Sequence, residues 1–334
     1  MNRVRIAQIG VGHDHAAQTY QSLVKNSDLF EVVGVAPEND SHADKLRMDA
    51  FANARIISLD EALCMDDLDA VAIESEELLA TGLAQRFADR GIALHLDKPG
   101  APDWDSFQHL IQTVKKKRTP FQMGYMFRYN PVIQRAVRMA KQGKLGEIFS
   151  VEGQMSVYYE HEKRQWLHQF PGGMMYFLGC HMIDLVMQIQ GVPRRVIPAN
   201  CQTGILCDHT EDLGVALLQY DHGVSYVKSC AAEINGAMRR QLVISGSGGT
   251  VEIRPLEIYS SEGVATPARA TLLENNPQDW KDCAEAWCSY PVDRYDSMMR
   301  CFAGMVRGEY TNPYTYDYEL ALFRVILECC GVLS

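Results

Sequence analysis

The sequence lacks a hydrophobic run long enough to cross a bilayer, since none of its apolar stretches approaches about 20 residues. A secretory signal is also missing, because the first five residues lead into a short strand pattern rather than an apolar core. Positive charge is not in excess: 32 Lys and Arg stand against 42 Asp and Glu, a formal net charge of −10. Such a surface repels anionic membrane and nucleic acid, so we predict neither as a partner.

The ten cysteines lack the CxxC spacing that is typical of many metal and redox sites. The closest pairs have other spacings: Cys201 and Cys207, Cys283 and Cys288, and the adjacent Cys329 and Cys330. We therefore predict a reduced, cytoplasmic protein. A length of 334 residues exceeds one ordinary core, and 47% hydrophobic with 22% charged residues is a globular balance, so two folded domains are expected.

A glycine-rich turn follows the first predicted strand. Val4–Ile9 is a short apolar stretch, Gly10 and Gly12 come next, and a helical pattern then runs to about Lys25. Gly10 would permit a tight turn, Gly12 would let the backbone approach a pyrophosphate, and the helix N-terminus would offer unpaired N–H groups. This order predicts a dinucleotide-binding corner at the start of the chain.

The third glycine of that fingerprint is absent, because His15 stands in its place. His13 and His15 together suggest a metal site, but no cysteine or carboxylate cluster completes one in the sequence. We therefore predict no metal ion, and we assign both histidines to the cofactor phosphates or the substrate.

The residues after the second predicted strand, at 31–36, indicate which cofactor is bound. A carboxylate there would bond the ribose hydroxyls of NAD, whereas an arginine would pair with the extra phosphate of NADP. Pro37 offers no such group, so Glu38 is the nearest candidate, and no arginine stands beside it. The sequence favours NAD and leaves NADP open. A solvated turn without a cofactor role is the alternative for Glu38.

Strands and helices continue to alternate as far as Gly124. The predicted strands are 55–57, 68–73, 92–96 and 121–124, and the predicted helices are 59–65, 78–90 and 104–117. Alternation this regular predicts a doubly wound parallel sheet, as in a Rossmann domain.

Lys98 follows the strand at 92–96 almost directly. Pro99 has no N–H and restricts the residue before it to extended conformations, which ends the strand and fixes Lys98 at its carboxyl end. Ligands of open α/β sheets bind just outside the carboxyl ends of the strands. Lys98 is therefore predicted to face a bound ligand, and a surface lysine in a strand-end turn is the alternative.

From Tyr125 the pattern becomes that of a second domain. Helices are predicted up to about residue 142 and at 174–190, 293–307 and 317–330. Strands are predicted at 149–159, 195–202, 212–220, 224–231, 240–245 and 250–254, with glycine-containing turns between several of them. The chain is thus expected to contain a Rossmann domain at 1–124 and an α+β domain with an open, mainly antiparallel sheet at 125–334.

Several short motifs, in their order and spacing, resemble the Gfo/Idh/MocA family of nicotinamide-dependent oxidoreductases over nearly the whole chain. The matching segments are Gly10-Val11-Gly12, Asp97-Lys98-Pro99 (Glu-Lys-Pro in the family), residues 124–131, residues 143–148, Gly172-Gly173 and residues 179–184. The last of these resembles the glycine-rich helix that carries the family's catalytic histidine, which is His181 here.

The resemblance implies reversible hydride transfer between a nicotinamide cofactor and a sugar, inositol or related polyol. Lys98 would hydrogen-bond the reacting oxygen, and His181 would take up and return the hydroxyl proton. The second domain would bind substrate and pack against further copies, giving a homodimer or homotetramer. For His181 alone, a satisfied core histidine is the alternative.

Two positions depart from the family. An aspartate often stands four residues before the catalytic histidine, where this chain has Phe177; Asp184 could substitute for it or be structural. The turn beside the nicotinamide is usually small or contains proline, whereas this chain has the acidic segment 74–77. Within it, Ser75 and Glu76 are predicted to contact the cofactor, with substrate hydroxyls or helix capping as alternatives.

The substrate pocket is predicted to draw on residues 158–168, which are dense in hydroxyl, imidazole and charged groups. Trp166 would offer a flat face to a sugar ring. The other predicted substrate contacts are Lys98, Arg128, Tyr158, Arg164, His168, His181 and Asp184. An exposed loop is the alternative for the segment, and a structural junction is the alternative for Arg128.

Two further functions fit the same residues. Some relatives of the family retain NAD and oxidise the substrate only transiently, in glycoside cleavage or epimerisation, and nothing in the sequence separates that chemistry from net oxidation. A non-catalytic nucleotide- or sugar-binding sensor would account for Phe177, His15 and the acidic segment 74–77, although Lys98 and His181 argue against it.

Overall fold

The computed structural model describes residues 2–204, 210–275 and 281–333. The chain forms two compact units: unit 1 contains Met1–Met126 and Tyr295–Leu320, and unit 2 contains Phe127–Arg294 and Ala321–Ser334. Tyr295–Leu320 follows the second sheet in the chain but belongs to unit 1, where the Gln122 side chain donates a hydrogen bond to the Met298 carbonyl at 3.1 Å. Sequence order alone does not indicate this return.

The helices and strands are numbered in chain order. The helices are α1 Ala16–Lys25, α2 Leu59–Cys64, α3 Glu77–Ala88, α4 Trp104–Lys117, α5 Pro131–Lys141, α6 His161–Trp166, α7 Cys180–Gln190, α8 Asp296–Val306 and α9 Tyr316–Cys329. The strands are β1 Val4–Ile9, β2 Phe30–Ala36, β3 Ala70–Ile73, β4 Ala93–Leu96, β5 Phe121–Met123, β6 Ile148–Gln154, β7 Arg195–Cys201, β8 Leu213–Gln219, β9 Val224–Cys230, β10 Gln241–Gly246, β11 Gly249–Ile253, β12 Ile258–Ser260, β13 Gly263–Ala265, β14 Pro267–Leu272 and β15 Glu285–Cys288.

Unit 1 is built on a five-stranded parallel sheet in the order β2-β1-β3-β4-β5. Every residue of β3, β4 and β5 is buried, which explains why these strands are almost continuously apolar. Because β1, β3 and β4 are neighbours and run in one direction, the residues that follow them meet at one edge of the sheet. The predicted doubly wound sheet is confirmed, whereas the predicted strand at 55–57 is only a bridge between Val35 and Ile56.

The bounds of α4 follow from its local sequence. The Asp103 carboxylate accepts a hydrogen bond from the Ser106 N–H at 2.8 Å and caps the N-terminus. Three lysines occupy the last turn, where positive charge favours the helix dipole, and Arg118 ends the helix with a φ of 56°. The helix predicted at 104–117 is confirmed.

Unit 2 contains an eight-stranded sheet in the order β15-β14-β11-β10-β6-β9-β8-β7. Its neighbouring strands pair antiparallel except β6 and β9, which are parallel, so the predicted mainly antiparallel sheet is confirmed. The strands β12 to β15 were not predicted. β12 is exposed throughout and β15 nearly so, and such strands lack the alternation that marks a half-buried strand.

The helix α7 is the buried helix of unit 2. Its residues 180–188 are all buried, which matches its apolar character on every side. A Cβ on Gly153 of β6 would lie 2.7 Å from the Met182 Cβ, so this glycine lets the helix approach the sheet closely. A π-helical turn, Met175–Gly179, precedes α7, so the helix predicted at 174–190 has two parts.

No helix in the described ranges combines the length and the apolar character of a membrane span. The described cysteines form no disulfide, and four of them are buried: Cys180, Cys230, Cys329 and Cys330. Cys207 lies outside the described residues.

Candidate active site

The turn after β1 requires both of its glycines. Gly10 has a φ of +94°, which side chains rarely tolerate, and a Cβ there would clash with the Ser75 backbone. A Cβ on Gly12 would clash with the Glu38 carboxylate and lie 2.9 Å from the Glu76 nitrogen. The turn is therefore closely packed against the residues that follow β2 and β3.

Glu38 binds this turn through its carboxylate, and its side chain is fully buried. Its Oε2 accepts a hydrogen bond from the Val11 N–H at 2.9 Å, and its Oε1 accepts one from the Glu76 N–H at 3.2 Å. His42 Nδ1 lies 3.0 Å from the same Oε1. A carboxylate beside the glycine turn, just after the second strand, is the arrangement that bonds ribose hydroxyls in NAD-binding folds.

The residues of unit 1 fit a dinucleotide. The cofactor residues predicted in this turn lie together: Gly10, Gly12, Glu38, Ser75 and Glu76. The N-terminus of α1 carries no side-chain cap, which leaves its first N–H groups suited to an anion. The binding role of each residue stays a prediction.

Lys98 is placed by β4 at the carboxyl edge of the parallel sheet. Its backbone N–H donates to Asp97 Oδ1 at 2.6 Å. The residue is 1% exposed, so the alternative of a surface lysine is wrong. A buried ammonium group requires negative charge nearby, and the adjoining residues supply it.

Histidines and carboxylates gather at the same edge. Asp97 Oδ2 lies 3.0 Å from His13 Nδ1 and 2.9 Å from His15 Nδ1. Glu77 Oε1 lies 3.4 Å from His13 Nε2, and Glu74 Oε2 lies 3.9 Å from His13 Nδ1. The expectation that no carboxylate cluster accompanies the histidine pair is therefore wrong. The signal that could have found it is the shared edge at which β1, β3 and β4 end.

His95 extends this cluster from inside β4. Its Nε2 lies 3.6 Å from Glu74 Oε1, and its Nδ1 lies 2.8 Å from Gln122 Oε1. Burial lowers the pKa of His95, although Asp97 opposes the shift. His95 was missed from the sequence, where a single polar residue within a fully buried strand was the available signal.

Burial and neighbouring charge together set the protonation of the cluster. Burial and the charge of Asp97 raise the pKa of Glu74 well above its usual value. Burial alone would raise the pKa of Asp97, but His13 and His15 hold that pKa well below its usual value. Burial lowers the pKa of His13, but Asp97 outweighs it and the pKa is raised; burial lowers the pKa of His15 to about 4. In the protein alone, Asp97 is thus the ionised acid and Glu74 the protonated one.

In unit 2, His181 lies in the first turn of α7 and is 1% exposed. Its ring meets Phe127 edge to face, with 5.3 Å between the ring centroids. The helix therefore buries the imidazole beside an aromatic ring, and its role as an acid or base stays a prediction.

Asp184, on the same helix, holds Arg128. Its carboxylate accepts hydrogen bonds from Arg128 Nε at 3.0 Å and Nη2 at 2.8 Å, and a third from Gln188 Nε2 at 2.8 Å. Arg128 and Asp184 are 2% and 1% exposed. This buried two-point ion pair supports the structural alternative for both residues.

Phe177, at the position of the family's aspartate, belongs to an aromatic cluster. Its ring centroid lies 5.1 Å from that of Trp166 and 6.1 Å from that of Phe170. Lys163 Nζ lies 3.6 Å from the centroid of the Trp166 ring, a cation–π distance. Phe177 is 1% exposed, so packing accounts for the residue at this position.

Truncating Phe177 to alanine should lower the free energy of unfolding by about 3–5 kcal/mol, because it leaves a cavity among these rings. Chemical denaturation followed by circular dichroism would measure the change. Phe149→Ala is the matched control, since Phe149 is 49% exposed and its truncation should cost far less. Equal losses in the two variants would contradict a packing role for Phe177.

Residues 158–168 are mostly helical, since α6 occupies the middle of the segment. Tyr158 is 44% exposed, His168 is exposed, and Trp166 is half-buried against the aromatic cluster. These three predicted substrate contacts therefore retain surface that a ligand can reach.

Arg164 differs from its neighbours in α6, because it is fully buried. Its Nη2 pairs with the Asp212 carboxylate and donates to Thr203 Oγ1 at 2.9 Å. Asp212 is also fully buried and accepts from the Thr203 N–H at 2.7 Å. The structure thus places Arg164 in an internal ion pair, and its predicted contact with substrate stays a prediction.

Comparison with known protein families identifies the chain. Residues 4–125 match an oxidoreductase family with an NAD-binding Rossmann fold, and residues 133–252 match the GFO/IDH/MocA C-terminal domain. The chain belongs to the Gfo/Idh/MocA family. The resemblance predicted from the motifs is confirmed, and this member is an oxidoreductase with an NAD(P)-binding Rossmann domain.

Three proteins that resemble this Gfo/Idh/MocA chain share 16–24% sequence identity with it. An uncharacterized oxidoreductase of Schizosaccharomyces pombe is 23% identical over 79% of this chain and 75% of its own length. D-apiose dehydrogenase of Paraburkholderia graminis is 24% identical over 81% of this chain and 73% of its own. UDP-N-acetylglucosamine 3-dehydrogenase of Acidithiobacillus ferrooxidans shares the fold, with a TM-score of 0.79 at 16% identity over 100% of this chain and 98% of its own.

Proposed function

We propose that this oxidoreductase transfers a hydride between NAD(P) and a CH–OH carbon of a sugar, inositol or related polyol. The observation that carries the proposal is Lys98, a buried lysine at the carboxyl edge of the Rossmann sheet. The glycine turn and Glu38 lie at the ends of other strands of the same sheet. The similarity to a D-apiose dehydrogenase supports a polyhydroxylated substrate.

Bound NAD(P) would accept or supply the hydride. Gly10 and Gly12 would admit the pyrophosphate, and Glu38 would accept hydrogen bonds from the adenosine ribose. Lys98 would donate a hydrogen bond to the reacting oxygen and stabilise the negative charge that develops on it during reduction.

We assign the proton transfer to unit 2. His181 would take the hydroxyl proton during oxidation and return it during reduction, since imidazole exchanges protons readily near neutral pH. Phe177 supplies no carboxylate to this imidazole, so orientation by the buried helix replaces the usual charged partner.

A panel assay tests the proposed reaction. Purified protein would be mixed with NAD⁺ or NADP⁺ and each of a broad set of sugars, inositols and polyols, and the absorbance of the reduced cofactor followed. Steady formation of reduced cofactor with a polyol is expected. Binding of NAD(H) without turnover would favour a sensor. A rearranged or cleaved product without net cofactor reduction would favour transient oxidation instead.

Replacing Glu38 by glutamine should weaken NADH binding about tenfold relative to NADPH binding, because a charged acceptor of the ribose hydroxyls is lost. Titration of intrinsic fluorescence with each cofactor would measure both affinities. The ratio separates this role from general loosening of the turn, which would weaken both cofactors alike. Glu61→Gln is the control, since it removes a 42% exposed carboxylate from the same unit. An unchanged ratio would assign Glu38 to the turn alone.

A further inference from the structure

The cluster of His13, His15 and Asp97 has the spacing of metal ligands. The two distances to Asp97 Oδ2 are 3.0 Å and 2.9 Å, and the three ligand atoms all lie within 4.8 Å of one another. Imidazole nitrogens and carboxylate oxygens bind zinc at about 2.0–2.2 Å, which puts ligands of one ion about 3 Å apart. The fold thus supplies three donors at a workable separation, from the ends of β1 and β4.

His13 lies between two carboxylates. Its Nε2 lies 3.4 Å from Glu77 Oε1 and its Nδ1 lies 3.0 Å from Asp97 Oδ2, so a carboxylate oxygen lies near both ring nitrogens. In a neutral imidazole one nitrogen carries a proton and the other a lone pair, so one nitrogen presents its lone pair to a carboxylate unless the ring takes up a second proton or a metal ion binds there. The His15 N–H donates to Nδ1 at 3.2 Å, which places the lone pair there and the proton on Nε2.

Glu77 then takes the position of a supporting carboxylate. With the proton of His13 on Nε2, Glu77 Oε1 is the carboxylate oxygen beside that N–H, at 3.4 Å from Nε2. Metal-bound histidines almost always donate their second ring N–H to a carboxylate, a carbonyl or water, which orients the ring toward the ion. Glu77 is 4% exposed, and within the described residues its Oε1 has no hydrogen-bond partner.

The buried groups beside the histidines are mostly acidic. Asp97, Glu74 and Glu77 are 4%, 0% and 4% exposed, and Lys98 beside them is 1% exposed. With Glu74 protonated and both histidines neutral, the formal charges of Asp97, Glu77 and Lys98 sum to −1. A buried negative charge that is not neutralised is unfavourable, so a cation bound by the histidines and Asp97 would offset it.

We propose that His13 Nδ1, His15 Nδ1 and an Asp97 oxygen bind one divalent first-row transition-metal ion, with Glu77 orienting His13. Two imidazoles and a carboxylate favour Zn²⁺, Fe²⁺, Co²⁺ or Ni²⁺ over Mg²⁺ and Ca²⁺, which prefer oxygen ligands. The prediction of no metal considered only residues close in the sequence, whereas the fold brings Asp97 to the two histidines. The metal site is independent of the proposed hydride transfer, so an experiment can contradict either proposal without contradicting the other.

Metal titration of the full chain tests the site. The protein would be treated with a chelator, dialysed and titrated with Zn²⁺ in a calorimeter. One ion per chain is expected in the wild type. His15→Ala and Asp97→Asn should each weaken Zn²⁺ binding at least about 100-fold, and Glu77→Gln about 10- to 100-fold, the usual effect of losing a supporting carboxylate. His109→Ala is the control, since it removes an exposed histidine of the same unit and should leave binding unchanged.

Cobalt distinguishes this cluster from the cysteines. Co²⁺ bound by nitrogen and oxygen gives weak visible bands, whereas thiolate ligands add strong charge-transfer bands at shorter wavelength. The proposal requires the first spectrum in the wild type and its loss in the His15 and Asp97 variants. Wild-type protein without stoichiometric binding, a thiolate spectrum, or variants that bind as the wild type would each overturn it. If a variant unfolds at a lower temperature than the wild type, its weaker binding can reflect loss of the fold rather than loss of a ligand. The wild-type cobalt spectrum and the Zn²⁺ titration of Glu77→Gln then test the proposal.

Discussion

Replacing Lys98 by methionine is expected to lower kcat about 100- to 1,000-fold, which is the usual loss when a group that stabilises charge on a reacting oxygen is removed. Lys98 is 1% exposed, and methionine retains the apolar stem of the lysine without its charge. The variant should still bind NADH, since the residues we assign to the pyrophosphate and ribose are unchanged. Steady-state turnover of the substrate found in the panel, with NADH binding by fluorescence, measures the two effects separately.

Lys115→Met is the matched control for this substitution. It removes a lysine from α4 of the same unit, where the side chain is 52% exposed, and turnover should stay at the wild-type level. Full activity in the Lys98 variant would remove the central residue of the proposed reaction. Loss of NADH binding with it would instead assign Lys98 to the cofactor. Thermal unfolding of both variants shows whether the buried carboxylates tolerate the loss of their lysine.

The fold of unit 1 was predictable because its strands are buried on both faces. Such strands are continuous apolar runs, and the helices between them have clear ends, as at Asp103 and Arg118. What could not be predicted depends on contacts far apart in the chain. Tyr295–Leu320 returns to unit 1, and the exposed edge strand β15 pairs with β14. No local sequence pattern indicates the return or the pairing.

The candidate site was predictable where the backbone dictates the residue. Gly10 and Gly12 are required by the turn, and Pro99 fixes the end of the strand that places Lys98. The partners of His13 and His15 were not predictable from spacing, because Asp97 lies more than eighty residues away, as the separation of 82 between His15 and Asp97 shows. Strand order, rather than sequence distance, brings these groups together.

Two arginines predicted to contact substrate are held by buried aspartates instead. Arg128 and Arg164 are each matched by a buried aspartate, 56 and 48 residues further along the chain. A sequence cannot distinguish an arginine that awaits a ligand from one that already has an internal carboxylate. Exposed or half-buried residues such as Tyr158 and Trp166 remain the better candidates for substrate contact.

Replacing His181 by glutamine is expected to lower kcat about 100- to 10,000-fold, because glutamine fills similar space but cannot take up a proton. NADH binding should be unaffected, since we assign the cofactor residues to unit 1. The pH dependence gives a sharper readout than the rate alone. If His181 is the base, polyol oxidation by the wild type rises with pH as the imidazole loses its proton, and the variant lacks this rise.

His222→Gln is the matched control, because His222 lies in an exposed turn of unit 2 and should leave both the rate and its pH dependence unchanged. The His181 result also tests the meaning of Phe177. A large loss of kcat, together with loss of the rise of the rate with pH, would show that a histidine held in a buried helix can transfer the proton without the family's aspartate. A loss of kcat of tenfold or less, with the rise of the rate with pH unchanged, would assign the proton transfer to another group. Lys98 would then be the first residue to examine, because a lysine that stabilises the reacting oxygen can also donate its proton.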